Sequence, residues 1–161
     1  MQIYVLRHAI AEDAAPGQSD SERRLTLQGK KKLRKILSRA RTAGVEPDIV
    51  LTSPYVRAVE TAEIALAQLC ADGKVVETEV LTPASNPLAI WEEIRRHQQL
   101  GQIILVGHNP LLSEAICFLI GACRDAIDLR KGALACVEVS SFGPQPQGTL
   151  VWLMTARIAG E

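Results

Sequence analysis

Two of the three histidines in this chain follow directly on short apolar runs. His8 comes after Gln2–Leu6 in the pair Arg7-His8, and His108 comes after Gln102–Val106 in Gly107-His108-Asn109-Pro110. A further apolar run, Asp48–Leu51, leads into Thr52-Ser53-Pro54, with Arg57 three residues on. A neutral imidazole with a free ring nitrogen is a nucleophile or a proton carrier near pH 7. Guanidinium groups pair with phosphate oxygens through parallel N–H donors. Ser53 and Asn109, each followed by proline, read as helix N-caps with proline at the first helical position. Two helix N-termini, with unpaired N–H groups and partial positive charge, would then face one crevice. Arg7, His8, Arg57 and His108 at such a place suit a doubly charged anion, best a phosphoryl group. Taken singly, a histidine after a strand is more often structural, and an arginine near a helix start is usually a surface charge. The shared position at strand ends is what favours the phosphoryl reading. A metal site on His8 and His108 fits poorly, because converging arginines repel a cation and no HxH or HExxH spacing occurs. No metal and no cofactor is expected.

Those residues need strands and helices to place them. Candidate strands are Gln2–Leu6, Asp48–Leu51, Val75–Val80 and Gln102–Val106. Ala133–Ser140 and Thr149–Ala156 flank the turn-rich segment FGPQPQG and read as a hairpin. Apolar periodicity predicts helices over about 27–43, 55–70, 87–99 and 111–121. The first has a stripe of Leu33, Ile36, Leu37 and Ala40, and the second one of Ala58, Ala62, Ala65, Leu66 and Leu69. Strands alternating with helices predict an α/β layered fold with a largely parallel sheet. Ligands of such sheets bind beyond the carboxyl ends of the strands.

Length and composition bound the rest. The 161 residues suit one domain over 1–161, with 47% hydrophobic and 22% charged residues, as in a soluble globule. Eighteen basic residues balance eighteen acidic ones, so no global field points to nucleic acid or an anionic membrane. The longest apolar stretch, Ala115 to Ala122, is well short of the ~20 residues of a membrane span. The opening MQIYVLRH reads as a strand rather than a signal peptide. Cys70, Cys117, Cys123 and Cys136 form no CxxC pair, so reduced thiols in a cytoplasmic protein are expected. A monomer is expected too.

The ordered set of motifs resembles the histidine phosphatase superfamily, in its phosphoglycerate-mutase-like branch. Its signature reads here Arg7-His8, then Ser53-Pro54-Tyr55-Val56-Arg57-Ala58-Val59-Glu60-Thr61, then Gly107-His108-Asn109-Pro110. Ala9 stands where RHG is commoner than RHA. The short length, the segment Ser19-Asp20-Ser21-Glu22-Arg23-Arg24-Leu25-Thr26 with Gly29, and Leu81-Thr82-Pro83 are similar to the SixA-type phosphohistidine phosphatases. The resemblance runs from Met1 to about Thr155. It implies a three-layer α/β/α sandwich with a mostly parallel, mixed six-stranded sheet. It also implies that His8 attacks phosphorus and becomes a phosphohistidine. Arg7, Arg57 and His108 would spread positive charge over the phosphoryl oxygens, with Arg23 and Asn109 as further phosphate or substrate contacts.

The family's ester hydrolases commonly carry a glutamate in an LxE context after the third strand, whereas this chain has Pro83 there. Glu79 and Glu12 are the candidate proton donors, with Asp13 beside the latter. Imidazole titrates near 6.5 and leaves easily, while an alkoxide without a general acid forfeits about 10²–10⁴ in rate. A phosphohistidine-bearing protein, such as a phosphotransfer domain or phosphocarrier, is therefore the expected substrate and partner. No insertion is long enough for a lid, so an open, shallow site is expected. The other readings are a small-molecule phosphomonoesterase of the same fold and a non-catalytic phosphate- or phosphoprotein-binding module.

Residues 23–41 hold nine of the eighteen basic residues and no acidic one. They form either a solvated helix face or a docking surface for an acidic partner. His97 reads as a surface residue at a helix end, and Tyr55 as crevice rim or packing.

Overall fold

Side chains alternate across a strand, so the first apolar run feeds two cores at once. In the computed structural model, which describes residues 1–69 and 73–159, β1 (Gln2–Arg7) sends Ile3 and Val5 into one buried cluster. It sends Tyr4 and Leu6 into the other. The remaining strands are β2 (Ile49–Thr52), β3 (Val75–Glu77), β4 (Gln102–Gly107), β5 (Leu134–Val139) and β6 (Gly148–Met154). They form one sheet in the order β3-β2-β4-β1-β5-β6. The first four run parallel, and the hairpin β5–β6 is antiparallel, so the sheet is mixed.

Helices α1 (Leu27–Thr42) and α2 (Val56–Leu69) cover one face, packing Leu33, Ile36, Ala58 and Ala62 against Val50, Ile104 and Val106. Helices α3 (Pro87–Arg96) and α4 (Leu111–Ile120) cover the other, with Ile90, Trp91, Leu112 and Ile116 against Ile3, Leu51 and Leu105. This is the expected three-layer sandwich. Each fully buried Leu or Ile contributes about 1.5–3 kcal/mol, so the two clusters hold the layers together.

Caps set where the helices start. Thr26 accepts the Gly29 N–H at 2.9 Å to open α1, and Asn86 accepts the Ala89 N–H at 3.0 Å to open α3, with Pro87 following it. Gly29 also lets α1 close on the loop after β1, since a Cβ there would collide with the Ile10 carbonyl oxygen.

The sequence reading overextends three elements: β6 ends at Met154 rather than Ala156, α3 at Arg96 rather than 99, and the third is β3. β3 ends at Glu77 rather than Val80, because the Thr78 side chain accepts the Val80 N–H and starts a 3-10 turn at Glu79–Leu81. The Ser53 and Asn109 caps are also corrected. α2 begins at Val56, and the first carbonyl to receive its N–H groups is that of Tyr55, from Ala58 and Val59 at 2.8 and 3.0 Å. α4 begins at Leu111 after a cis Asn109-Pro110 peptide, with Pro110 at the N-cap position and no side-chain cap. Cys117, Cys123 and Cys136 are free, and Cys70 lies outside the described residues. Among the described residues, no helix is long and apolar enough to cross a membrane.

Candidate active site

Parallel register puts three strand ends at one level. Arg7 pairs with Gly107 across β1 and β4, and Thr52 pairs with Val106 across β2 and β4. The ladder continues one step beyond the strands, with the His8 N–H donating to Gly107 and the Ser53 N–H to Val106, both at 3.0 Å. His8, Ser53 and His108 therefore emerge side by side. Gly132, at φ +74°, donates its N–H to the carbonyls of Arg7 and His8 and closes the loop from the β5 side. The left-handed backbone there is one that glycine adopts without strain.

The His8 and His108 rings lie 5.0 Å apart, centroid to centroid, and are only 6% and 2% exposed. His8 Nδ1 sits 2.7 Å from the Ala9 carbonyl oxygen, which can only accept, so the ring proton lies on Nδ1. Nε2 then keeps its lone pair and accepts from Arg57 Nε at 3.2 Å. His108 Nε2 meets the Ser53 hydroxyl at 2.9 Å. That hydroxyl accepts the Tyr55 N–H at 3.3 Å, leaving its own proton for His108. The His108 ring proton is then on Nδ1, which is buried without a partner, as is Arg7 Nε. Both nitrogens can donate to an oxyanion.

Burial sets the charge state of both rings. It pushes His8 down to about 4, helped by Arg57, Arg7 and Lys131, while the Ala9 carbonyl works the other way. It pushes His108 down to about 3, helped by His8, Arg57 and Arg7 and opposed by Asp20. His108 is thus neutral near pH 7. With its proton on Nδ1, the neutral ring presents an N–H donor beside the half-buried Arg7 and the buried Arg57.

Arg57, in the first turn of α2, is 5% exposed and tied at every nitrogen. Besides Nε on His8, Nη1 donates to the Asp20 carbonyl and Nη2 to the Asp20 carboxylate at 2.8 Å. Its guanidinium lies 5.1 Å over the Tyr55 ring, and that ring in turn packs edge-on to His108 at 4.9 Å. Tyr55 lines the crevice. Thr61 clamps α2 to the loop after β1, accepting the Ala9 N–H at 3.2 Å and donating to the Arg57 carbonyl at 2.7 Å. Glu60 does the same for the next segment, receiving the Leu25 N–H at 2.7 Å and Lys30 at 3.0 Å. Arg7 donates Nη1 to the Leu129 carbonyl at 3.0 Å, and Asn109 donates its amide to the same oxygen at 2.9 Å. Asn109 thereby stands beside Arg7.

Asp20 is the residue that the sequence reading missed. It belongs to a 3-10 turn, Asp20–Glu22, held by a capping box between Ser19 and Glu22. One carboxylate oxygen takes Arg57 and the other takes Arg23 Nη1 at 2.9 Å, while Arg23 Nε donates to the Glu12 carbonyl at 2.6 Å. Arg23 reaches the site through Asp20. Its hydrogen bond first, and Arg57 next, hold the Asp20 carboxyl below its ordinary range. The available signal was the S-x-x-E spacing of Ser19 and Glu22. The carboxylates of Glu12 and Glu79 are exposed and bond to no site side chain among the described residues. His8, Ser53, Arg57 and His108 are buried at the floor of the site, Arg7, Tyr55 and Asn109 are half-buried, and the Asp20 side chain at the rim is 59% exposed. Among the described residues, no group of three or more His, Cys, Asp or Glu is placed to hold a metal ion.

Known proteins share this fold. The Histidine phosphatase superfamily (branch 1) model matches residues 3–81. A Haemophilus influenzae protein named as a phosphohistidine phosphatase SixA homolog is 31% identical over 132 residues, covering 75% of this chain and 78% of its own. The Escherichia coli phosphohistidine phosphatase SixA is 26% identical over 157 residues, covering 96% and 94%. The solved structure of the protein histidine phosphatase SixA with tungstate superposes with a TM-score of 0.86 at 26% identity, over 98% of both chains. Sequence and fold agree: the chain belongs to the histidine phosphatase superfamily.

Proposed function

We propose that this chain is a phosphohistidine phosphatase that works through a covalent phospho-His8 intermediate and without a metal ion. The observation that carries the reading is the His8 hydrogen bond to the Ala9 carbonyl, which leaves Nε2 unprotonated and aimed at Arg57. Nε2 attacks phosphorus, the P–N bond to the substrate imidazole breaks, and that imidazole, protonated beforehand on its other nitrogen, departs neutral. Water then attacks phospho-His8 and returns the ring to its starting state with release of phosphate. Arg7, Arg57 and the His108 N–H stabilise the oxygens as the P–N bond loosens, with Asn109 and Arg23 holding the phosphate's surroundings. The arginines supply the charge that a metal would otherwise bring.

The leaving group follows from the acids. Pro83 occupies the place of the ester hydrolases' glutamate, and Asp20, the carboxyl nearest the cup, is held ionised and so cannot donate a proton near pH 7. An ester would depart as an alkoxide, at a loss of about 10²–10⁴ in rate. The names of the similar proteins support the same choice. Release of phosphate from a histidine-phosphorylated protein should exceed that from p-nitrophenyl phosphate and sugar phosphates by at least ~10² in kcat/KM. The reverse order would transfer the chain to the ester hydrolases, with Glu12 or Glu79 as the acid.

A further inference from the structure

Helix α1 concentrates its charge in one place. Lys31, Arg34, Lys35 and Arg39 follow at helical spacings of three and four, and with Ser38 and Ala159 they line a groove of about 610 Å³. No acidic residue is in the lining. Four other surface cations are matched, Arg95 with Glu92, Arg96 with Glu93, Arg124 with Glu114, and Arg130 with Asp128, whereas among the described residues the single unmatched ones such as Lys74 and Lys131 are scattered. Among the described residues, Lys31, Arg34 and Arg39 have no ion pair. Folding does not explain them. Like charges three and four residues apart destabilise a helix, and the first turn of α1 holds no acid to offset Lys31 near the positive end of the dipole.

The groove is also joined to the site. Thr26, at the head of α1, donates both its N–H and its hydroxyl to Ile10, two residues after His8. Arg23 bonds to Asp20, which bonds to Arg57. From Thr26 to Arg39 the helix advances about 20 Å. A standard protein interface, about 800 Å² per partner and so about 30 Å across, is wide enough to span that distance.

We propose that this groove is the docking surface for the phosphohistidine-bearing protein, which must present an acidic face beside its phosphorylated histidine. The proposal rests on the phosphohistidine reading above. Nucleic acid fits less well, since all eighteen acidic residues lie outside residues 23–41 and would meet a polyanion's long-range field.

The test uses the full chain and its K31E/R34E/R39E variant, with two probes. One is an acidic histidine-phosphotransfer domain charged with phosphoramidate, and the other is phosphoimidazole. The variant should lose at least ~10-fold in kcat/KM on the domain and keep its turnover of phosphoimidazole. The difference should shrink as NaCl rises from ~0.05 to ~0.5 M. Unchanged kcat/KM on the domain overturns the docking surface alone. So does equal loss on both probes, in this variant and in K31Q/R34Q/R39Q, since the cations would then serve the fold or the cup. Binding a single-stranded RNA more tightly than the domain would also overturn it. If the unaltered chain cleaves phosphate esters and neither probe, the phosphohistidine reading itself fails.

Discussion

The cup at the ends of β1, β2 and β4 and the groove along α1 are both cationic, yet they hold their charge in opposite ways. In the cup, Arg57 is buried with all three of its nitrogens bonded, and α2 is clamped to the loop after β1 through Thr61. On α1, Lys31, Arg34 and Arg39 are exposed. Fixed donors act at contact distance and cost no reorganisation during the reaction. Loose surface charges act through a field that salt screens over about 10 Å at 0.1 M. If the cup does the chemistry and α1 the recruitment proposed above, ionic strength separates the two.

The comparison can be broken at its strongest point first. His8→Ala should lower kcat by at least ~10⁴ at any salt concentration and abolish trapping of a phosphorylated chain after an acid-free quench. Retained phosphate turnover would remove His8 from the covalent role. Asp20→Asn gives a smaller and mixed effect. It takes away a fixed negative charge beside Arg57 and Arg23, so inorganic phosphate should inhibit several-fold more strongly. Arg57 loses its charge-assisted anchor as well, so kcat should fall about 10-fold. Steady-state kinetics with phosphate as competitor separates the two. A fall in kcat with no tightening of phosphate would mean that Asp20 merely supports the turn.

The smallest effect is a pH dependence of stability. His8 and His108 titrate at about 4 and about 3 in the folded chain, below the ordinary 6.5. Between these values and 6.5 the unfolded chain binds more protons, so stability is full above about 6.5 and is lost as pH falls towards 4 and 3. His8→Asn should flatten part of that slope in urea denaturation between about pH 7 and pH 4. An unaltered slope would place the ring in solvent.

Much of the cup is legible from residue order, because parallel strands bring their carboxyl ends level whatever lies between them. Arg7, His8 and His108 need only that rule, and Arg57 needs one helical turn more. The two layers are equally readable in the alternation of Ile3, Tyr4, Val5 and Leu6. Asp20 is not legible in this way, since a one-turn 3-10 helix has too short a period to show in apolar spacing. The Ser19–Glu22 capping box betrays the turn, and the family resemblance marks the segment without giving Asp20 a role. Ser53 misleads because a serine before proline looks like a cap, whereas its hydroxyl is engaged by Tyr55 and His108. The end of β3 is hidden for a related reason: Val80 continues the apolar alternation, but a threonine side chain has already turned the backbone.

The pairing of Arg7 with Gly107 reaches beyond the cup. Slipping β1 by a single position would send the His8 ring to the opposite side of the sheet and exchange Ile3 and Val5 for Tyr4 and Leu6 in their cores. Misthreaded chains of this kind would be both loosely packed and inert. Phosphate release is therefore a gauge of strand alignment at one-residue accuracy, and an activity screen of random variants would report on folding fidelity as faithfully as on chemistry.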